Sequence, residues 1–115
     1  MSADCLFCRI VDGAVPAAKV YEDDHVVAIR DINPQAPVHI LLIPRRHVAD
    51  LADAVETDAS LAGRLAAAAV RIARAEGVHA RGFRLLTNTG PDGGQAVMHL
   101  HFHLLGGRPM GWPPG

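Results

Sequence analysis

The run His99-Leu100-His101-Phe102-His103 constrains this chain more than any other stretch. In extended backbone successive side chains point to opposite faces, so the three imidazoles share one side. At a rise of about 3.3 Å per residue they stand roughly 6.6 Å apart. The alternate positions Met98, Leu100, Phe102 and Leu104 are apolar and are expected to face a core. The pattern predicts a strand with one chemically loaded face and one buried face. Three readings of the loaded face are open: a half-exposed polar strand, a metal strand in which His at i and i+2 share an ion, or a nucleophilic imidazole flanked by two helpers.

The neighbours bear on that choice. Upstream lies Asn88-Thr89-Gly90-Pro91-Asp92-Gly93-Gly94-Gln95 and downstream Gly106-Gly107-Arg108. Glycine-rich turns let backbone N–H groups approach an anion, and successive N–H groups form a nest for phosphate oxygens. Imidazoles beside an anion cradle point to phosphorus chemistry.

Two thiols form a second constellation. Cys5-x-x-Cys8 is a short-range metal pair that needs two more ligands to close a tetrahedral zinc site. A redox Cys-x-x-Cys normally opens a helix after a strand, and no strand is expected before Cys5. Two free core cysteines are the remaining alternative.

The run Gly93 to Arg108, with its three spaced histidines, resembles the signature of the histidine triad (HIT) family. The tail Met110-Gly111-Trp112-Pro113-Pro114-Gly115 is similar to the Hint branch of that family. The likeness extends to Phe7, Ile10, the Pro16 to Asp24 segment, Asp31 to Pro37, and Ile43-Pro44-Arg45-Arg46-His47. The resemblance implies a nucleotide hydrolase, foremost a nucleoside phosphoramidase that releases AMP or another nucleoside monophosphate through a nucleotidyl-histidine intermediate. Hydrolysis of dinucleoside polyphosphates or aminoacyl-adenylates, and nucleotide binding without catalysis, are the alternatives.

It also implies roles. His101 is the nucleophile, which needs one bare ring nitrogen aimed in line and the other donating a hydrogen bond. His103 contacts the phosphate or protonates the leaving group, and Asn88 with the backbone of Gly94, Gln95 and Ala96 supplies neutral donors. Asp31, followed by Ile32, holds the ribose hydroxyls, since a carboxylate accepts from both. Phe7, Ile10 and Ile29 line the base pocket, and Trp112 shapes the leaving-group side of a partner's pocket. Cys5, Cys8, His47 and His99 hold a structural zinc, which the chemical step itself does not require. Ala96 stands where the Hint branch commonly has Ser, which removes one hydroxyl donor near the leaving group. His25, His39 and His79 read as structural or surface histidines; His39 sits inside an apolar strand, where a neutral imidazole can bridge buried partners.

Length and composition set the frame. A chain of 115 residues, half apolar and one-fifth charged, suits a single HIT domain over residues 1–115. A net charge of −1 offers no basic field for a nucleic-acid polymer. The N-terminus lacks the pattern of a signal peptide, and the longest apolar run, Leu65 to Val70, is six residues. A cytoplasmic protein that binds a purine nucleotide, pairs as a homodimer and avoids membranes is the expectation.

Periodicity supplies the elements. Cys5 to Val11 reads as a short helix or turn ending at Asp12-Gly13, Lys19 to Glu22 and His25 to Arg30 as a hairpin, and Val38 to Ile43 as a central strand ended by Pro44. Leu61, Leu65, Ala68 and Ile72 mark one stripe of a long helix over about Asp58 to Glu76, capped by Thr57 or Asp58 and stopped at Gly77. Phe83 to Thr87 and the histidine run complete the strands. The result is an α+β fold: a five-stranded antiparallel sheet with one long and one short helix.

Overall fold

The structure, a computed structural model, describes residues 4–115. Its elements follow the order α1 (Leu6–Val11), β1 (Lys19–Glu22), β2 (Val26–Arg30), β3 (Val38–Pro44), α2 (Leu51–Asp58), α3 (Ser60–Ala75), β4 (Phe83–Leu86) and β5 (Phe102–Gly106). The five strands form one sheet in the order β1-β2-β3-β5-β4, and every neighbouring pair is antiparallel.

Side-chain alternation sorts β2, β3 and β5 into two faces. Val26, Ala28, Ile40, Leu42, Phe102 and Leu104 point to the face covered by α3, where they meet Leu61, Leu65, Ala68 and Ile72. The predicted helix stripe is therefore the buried one. Val27, Ile29, Leu41 and Ile43 point to the opposite face and pack with Phe7 and Ile10 of α1. Strands buried on both sides explain why β3 reads as unbroken apolar sequence.

Local chemistry sets the turns. Between β1 and β2, Asp23 Oδ1 accepts from the backbone N–H groups of His25 and Val26 at 2.7 and 2.8 Å, so β2 starts one residue later than expected. At the end of α3, Gly77 takes φ of +76°, a left-handed stop that costs glycine little. Gly106 on β5 admits Val78 against the strand, where any Cβ would come within 2.8 Å of that side chain.

The helical region differs from the expectation of one long and one short helix. A third helix, α2, precedes α3. Asp50 caps α2 by accepting from Asp53 N–H at 2.9 Å, while the Asp53 carboxylate accepts from Ala49 N–H at 2.8 Å. Asp58 does bond at the start of α3, accepting from the Ser60 N–H and hydroxyl at 3.1 and 2.6 Å, but the N-cap position is Ala59 and makes no side-chain bond. Thr57 instead donates back to Asp53 O within α2.

The last strand is also shorter than the histidine pattern predicts. Pairing begins at Phe102, so His99 and His101 lie on a lead-in, bent at 97–99, rather than in the ladder. Leu100, Phe102 and Leu104 are buried as expected, but Met98 is 55% exposed, because alternation binds side chains to a core only where the sheet continues.

Candidate active site

Register builds the site on the α1-facing side of the sheet. Leu41 of β3 pairs with His103 of β5, and His39 pairs with Leu105, which leaves His39 and His103 diagonal neighbours on one face. The ring atoms His39 Nε2 and His103 Nδ1 lie 2.9 Å apart. Asp31 follows β2, its N–H bonded to His39 O, and its Oδ2 lies 3.4 Å from His39 Nε2.

The proton positions in this group follow from the donors around it. His39 Nδ1 accepts from the Gln35 backbone N–H at 3.0 Å, so a neutral His39 carries its proton on Nε2. That N–H donates to His103 Nδ1, which places the proton of a neutral His103 on its own Nε2. Burial, together with His101 and His39 alongside, pushes the pKa of His103 down to about 4 against the opposing pull of Asp31. Burial likewise lowers that of His39, again against Asp31. His103 is thus a neutral N–H donor near pH 7. Asp31, His39 and His103 bring three ligand-type atoms together, but His39 Nε2 bears the proton, and this disfavours a metal there.

His101 has the opposite tautomer. Its Nδ1–H donates to His99 O at 2.9 Å, which leaves Nε2 as a bare lone pair. The residue is 8% exposed, and its ring sits between Phe7, at 4.9 Å and 76°, and His103, at 5.1 Å and 56°. Thr87, just beyond β4, donates its hydroxyl to His101 O at 2.8 Å and continues the sheet where the ladder has ended.

The segment 88–97 folds over this lead-in as a tight turn. Gly93 packs so closely on the Thr89 backbone that a Cβ would collide with it. Gly94 and Gln95 spend their N–H groups inside the turn, on Pro91 O and Gly90 O. The Gln95 side chain is a brace: Oε1 accepts from Gly90 N–H, and Nε2 donates to Ala49 O and Val97 O. Among the described residues, the Ala96 N–H and the Asn88 carboxamide have no partner within the chain.

The other site candidates are distributed as follows. Phe7, Ile10 and Ile29 are buried together, while Ile32 is fully exposed beside Asp31. Asp31 Oδ1 also caps its own turn by accepting from Asn33 N–H at 2.8 Å. Trp112 is 85% exposed on a tail fastened to β4, where Arg84 Nη2 donates to Gly111 O. His25 and His79 are exposed. His39 is the residue whose place in the site the sequence left unread. Its alternation with Leu41 and Ile43 was visible, but the face those residues share was not.

A second cluster lies behind the first. Cys5 Sγ and Cys8 Sγ are 3.3 and 3.5 Å from His99 Nδ1, Cys8 Sγ is 3.3 Å from His47 Nδ1, and the two Nδ1 atoms are 3.2 Å apart. Around a tetrahedral zinc with Zn–S of about 2.3 Å and Zn–N of about 2.05 Å, the edges are roughly 3.5 Å for S···N and roughly 3.3 Å for N···N. The donor set fits such an ion. His99 Nε2 donates to Pro44 O at 2.8 Å, so Nδ1 is the bare nitrogen facing the cluster, as a ligand requires. Burial depresses the His99 pKa, and its neighbours His47 and His101 add to the effect. Cys8 and His99 are buried and His47 is exposed, so the cluster sits at the protein's margin.

A face bearing histidines, a turn with unspent donors and a group of two thiols and two imidazoles define a histidine-rich site on the five-stranded sheet. The model of the HIT domain matches residues 12–110, and the chain belongs to the HIT family. It is 49% identical over 114 residues to a 14 kDa zinc-binding protein of Brassica juncea, covering 97% of this chain and all of that one. It is also 49% identical over 112 residues to adenylylsulfatase HINT1 of Arabidopsis thaliana, covering 96% of this chain and 76% of the relative. The crystal structure of a HIT family hydrolase from Legionella pneumophila superposes with a TM-score of 0.93 at 48% identity, covering 97% of this chain and 100% of that one.

Proposed function

We propose that this protein hydrolyses nucleotides at the α-phosphate through a covalent intermediate on His101, releasing AMP or another nucleoside monophosphate from phosphoramidate-type substrates. The observation that carries the reading is the His101 tautomer: Nδ1–H is committed to His99 O, so Nε2 keeps its lone pair free to attack. In the first step Nε2 attacks the α-phosphorus, the N–P bond forms, and the bond to the leaving group breaks with its electron pair going to the leaving atom, which takes up a proton from solvent when it is an amine nitrogen. In the second, water attacks the phosphorus and gives up a proton to solvent, and the N–P bond breaks with its electron pair returning to Nε2, which restores His101. His103 Nε2–H, the Ala96 N–H and the Asn88 carboxamide meet the charge on the phosphate oxygens. Asp31 accepts from the ribose hydroxyls, and Phe7, Ile10 and Ile29 with exposed Ile32 hold a purine base. Sulfate is a second leaving group supported by the Arabidopsis relative, which is named an adenylylsulfatase.

Cys5, Cys8, His47 and His99 hold zinc in this reading, supported by the edge lengths of the cluster and by the zinc-binding name of the Brassica relative. Bound zinc supplies a structural cross-link; the chemistry belongs to the histidines.

Rapid quenching at neutral to alkaline pH followed by mass spectrometry is expected to find a nucleotidyl adduct on His101. The substrate panel is adenosine 5′-phosphoramidate and adenosine 5′-phosphosulfate. His101→Asn is expected to lower turnover by about 10³-fold or more with nucleotide affinity little changed, because the imidazole acts in the transition state. Turnover near wild type in the folded variant overturns the covalent mechanism.

A further inference from the structure

We propose that Phe7 is a positioning residue for His101, its ring clamping the plane of the imidazole, and that the Cys5–Cys8–His47–His99 cluster holds Phe7 in place. The proposal rests on the reading of His101 as the attacking group.

A nucleophilic imidazole works only when its bare nitrogen stays in line with the phosphorus. The second side-chain torsion of His is broad, so the ring plane must be fixed from outside. The Nδ1–H bond to His99 O fixes one atom, at 2.9 Å, but leaves the ring free to rock about that contact. Phe7 removes this freedom. Its ring stands at 76° to the His101 ring with centroids 4.9 Å apart, within the edge-to-face range for aromatic pairs.

Phe7 in turn needs support. It belongs to α1, six residues long and too short to be stable alone. Cys5 and Cys8 bracket it: Cys5 is the N-cap, its Sγ accepts from Cys8 N–H at 3.3 Å, and both sulfurs face the cluster. His99 enters twice, with Nδ1 in the cluster and its carbonyl on the His101 ring. Both constraints on the nucleophile therefore begin at cluster residues. The rings form a continuous file, His47 to His99 at 4.8 Å, His99 to Phe7 at 6.0 Å and Phe7 to His101 at 4.9 Å.

A residue that only lines a base pocket changes KM, whereas a clamp on the nucleophile changes kcat. The test is Phe7→Leu in the zinc-loaded protein, read by steady-state kinetics and by nitrogen NMR of the His101 ring, which reports the nitrogen that carries the proton. The expected result is a fall in kcat of about tenfold and mixing of the two ring tautomers, on top of whatever rise in KM the lost base contact brings. A raised KM with kcat and tautomer unchanged overturns the clamp. Chelation of zinc from the wild-type protein is the second measurement and decides the matter if Phe7→Leu fails to fold. It is expected to produce the same tautomer mixing while the amide signals of β2, β3 and β5 persist, and an undisturbed His101 signal overturns the role of the cluster. The tautomer readout does not depend on turnover. Absence of a nucleotidyl adduct in the wild-type protein is instead the failure of the His101 reading itself.

Discussion

At the scale of single residues, the site is governed by which nitrogen of each imidazole carries a proton. Backbone groups decide this for His39, His99 and His101 through Gln35 N–H, Pro44 O and His99 O. None of these partners adjoins its histidine in sequence except His99, two positions from His101, which is why the spacing alone showed three histidines and their division of labour came only with the family resemblance. Thr87 belongs to the same backbone frame. Thr87→Val keeps the shape and removes the 2.8 Å bond to His101 O, so it is expected to cost about 1 kcal/mol of stability. A several-fold drop in kcat with KM unchanged should accompany it, and Thr87→Ser should restore both; denaturant titration and kinetics check this. His103 gives a prediction in pH. Its pKa lies near 4 in the folded chain against 6.5 for an ordinary imidazole. Below pH 6.5 the unfolded chain takes up a proton that the native state refuses, so this group's contribution to stability is full above pH 6.5 and declines until about pH 4. Melting curves from pH 7.5 to 4 should show a shallower loss for His103→Gln than for the wild type. Equal slopes would remove His103 as the cause.

Among the elements, α1 carries the greatest consequence for its size. The segment Cys5 to Val11 was legible as a short helix or turn, and so were the strands β1 to β4, because period-two and period-3.6 patterns are local properties. Less legible were features set by pairing. The helix α2 escaped because Leu51, Ala54 and Val55 give a weak stripe, and its start depends on Asp50 and Asp53 bonding reciprocally around Ala49. The lead-in through His99 escaped because the ladder with β3 ends at the Leu42–Phe102 pair although β3 itself runs on to Pro44. The cluster ties three such elements together: α1, the turn after β3 that carries His47, and the lead-in to β5. Untagged protein grown with ample zinc is therefore expected to contain one zinc per chain. Chelation should lower the melting temperature, and Cys8→Ser should reproduce the loss. Zinc content below about a tenth of an equivalent would exclude a closed structural site.

For the whole molecule, the two edges of the sheet decide how it associates. The β1 edge is interrupted by a bulge between Lys19 and Tyr21 and carries the Lys19–Glu22 pair, both devices that discourage another strand from adding. The β4 edge has neither, and Phe83, Leu85 and Leu86 there are only half-buried. A regular, largely apolar edge, with Arg84 engaged by the tail, is a surface that a second copy can cover, and two-fold pairing satisfies both copies at once. The C-terminal tail leaves β5 beside β4, held by Arg84 to Gly111 O, and presents an exposed Trp112 on that side. The expected outcome is a symmetric homodimer joined along β4, with Trp112 reaching the leaving-group side of the other subunit's site. Light scattering should give twice the chain mass at micromolar concentration, and a stable monomer there counts against the pairing. Deleting Met110 to Gly115 should shift the preference between amine and sulfate leaving groups more than it slows the better substrate. An unchanged preference with the dimer intact would confine the tail to a role outside the site.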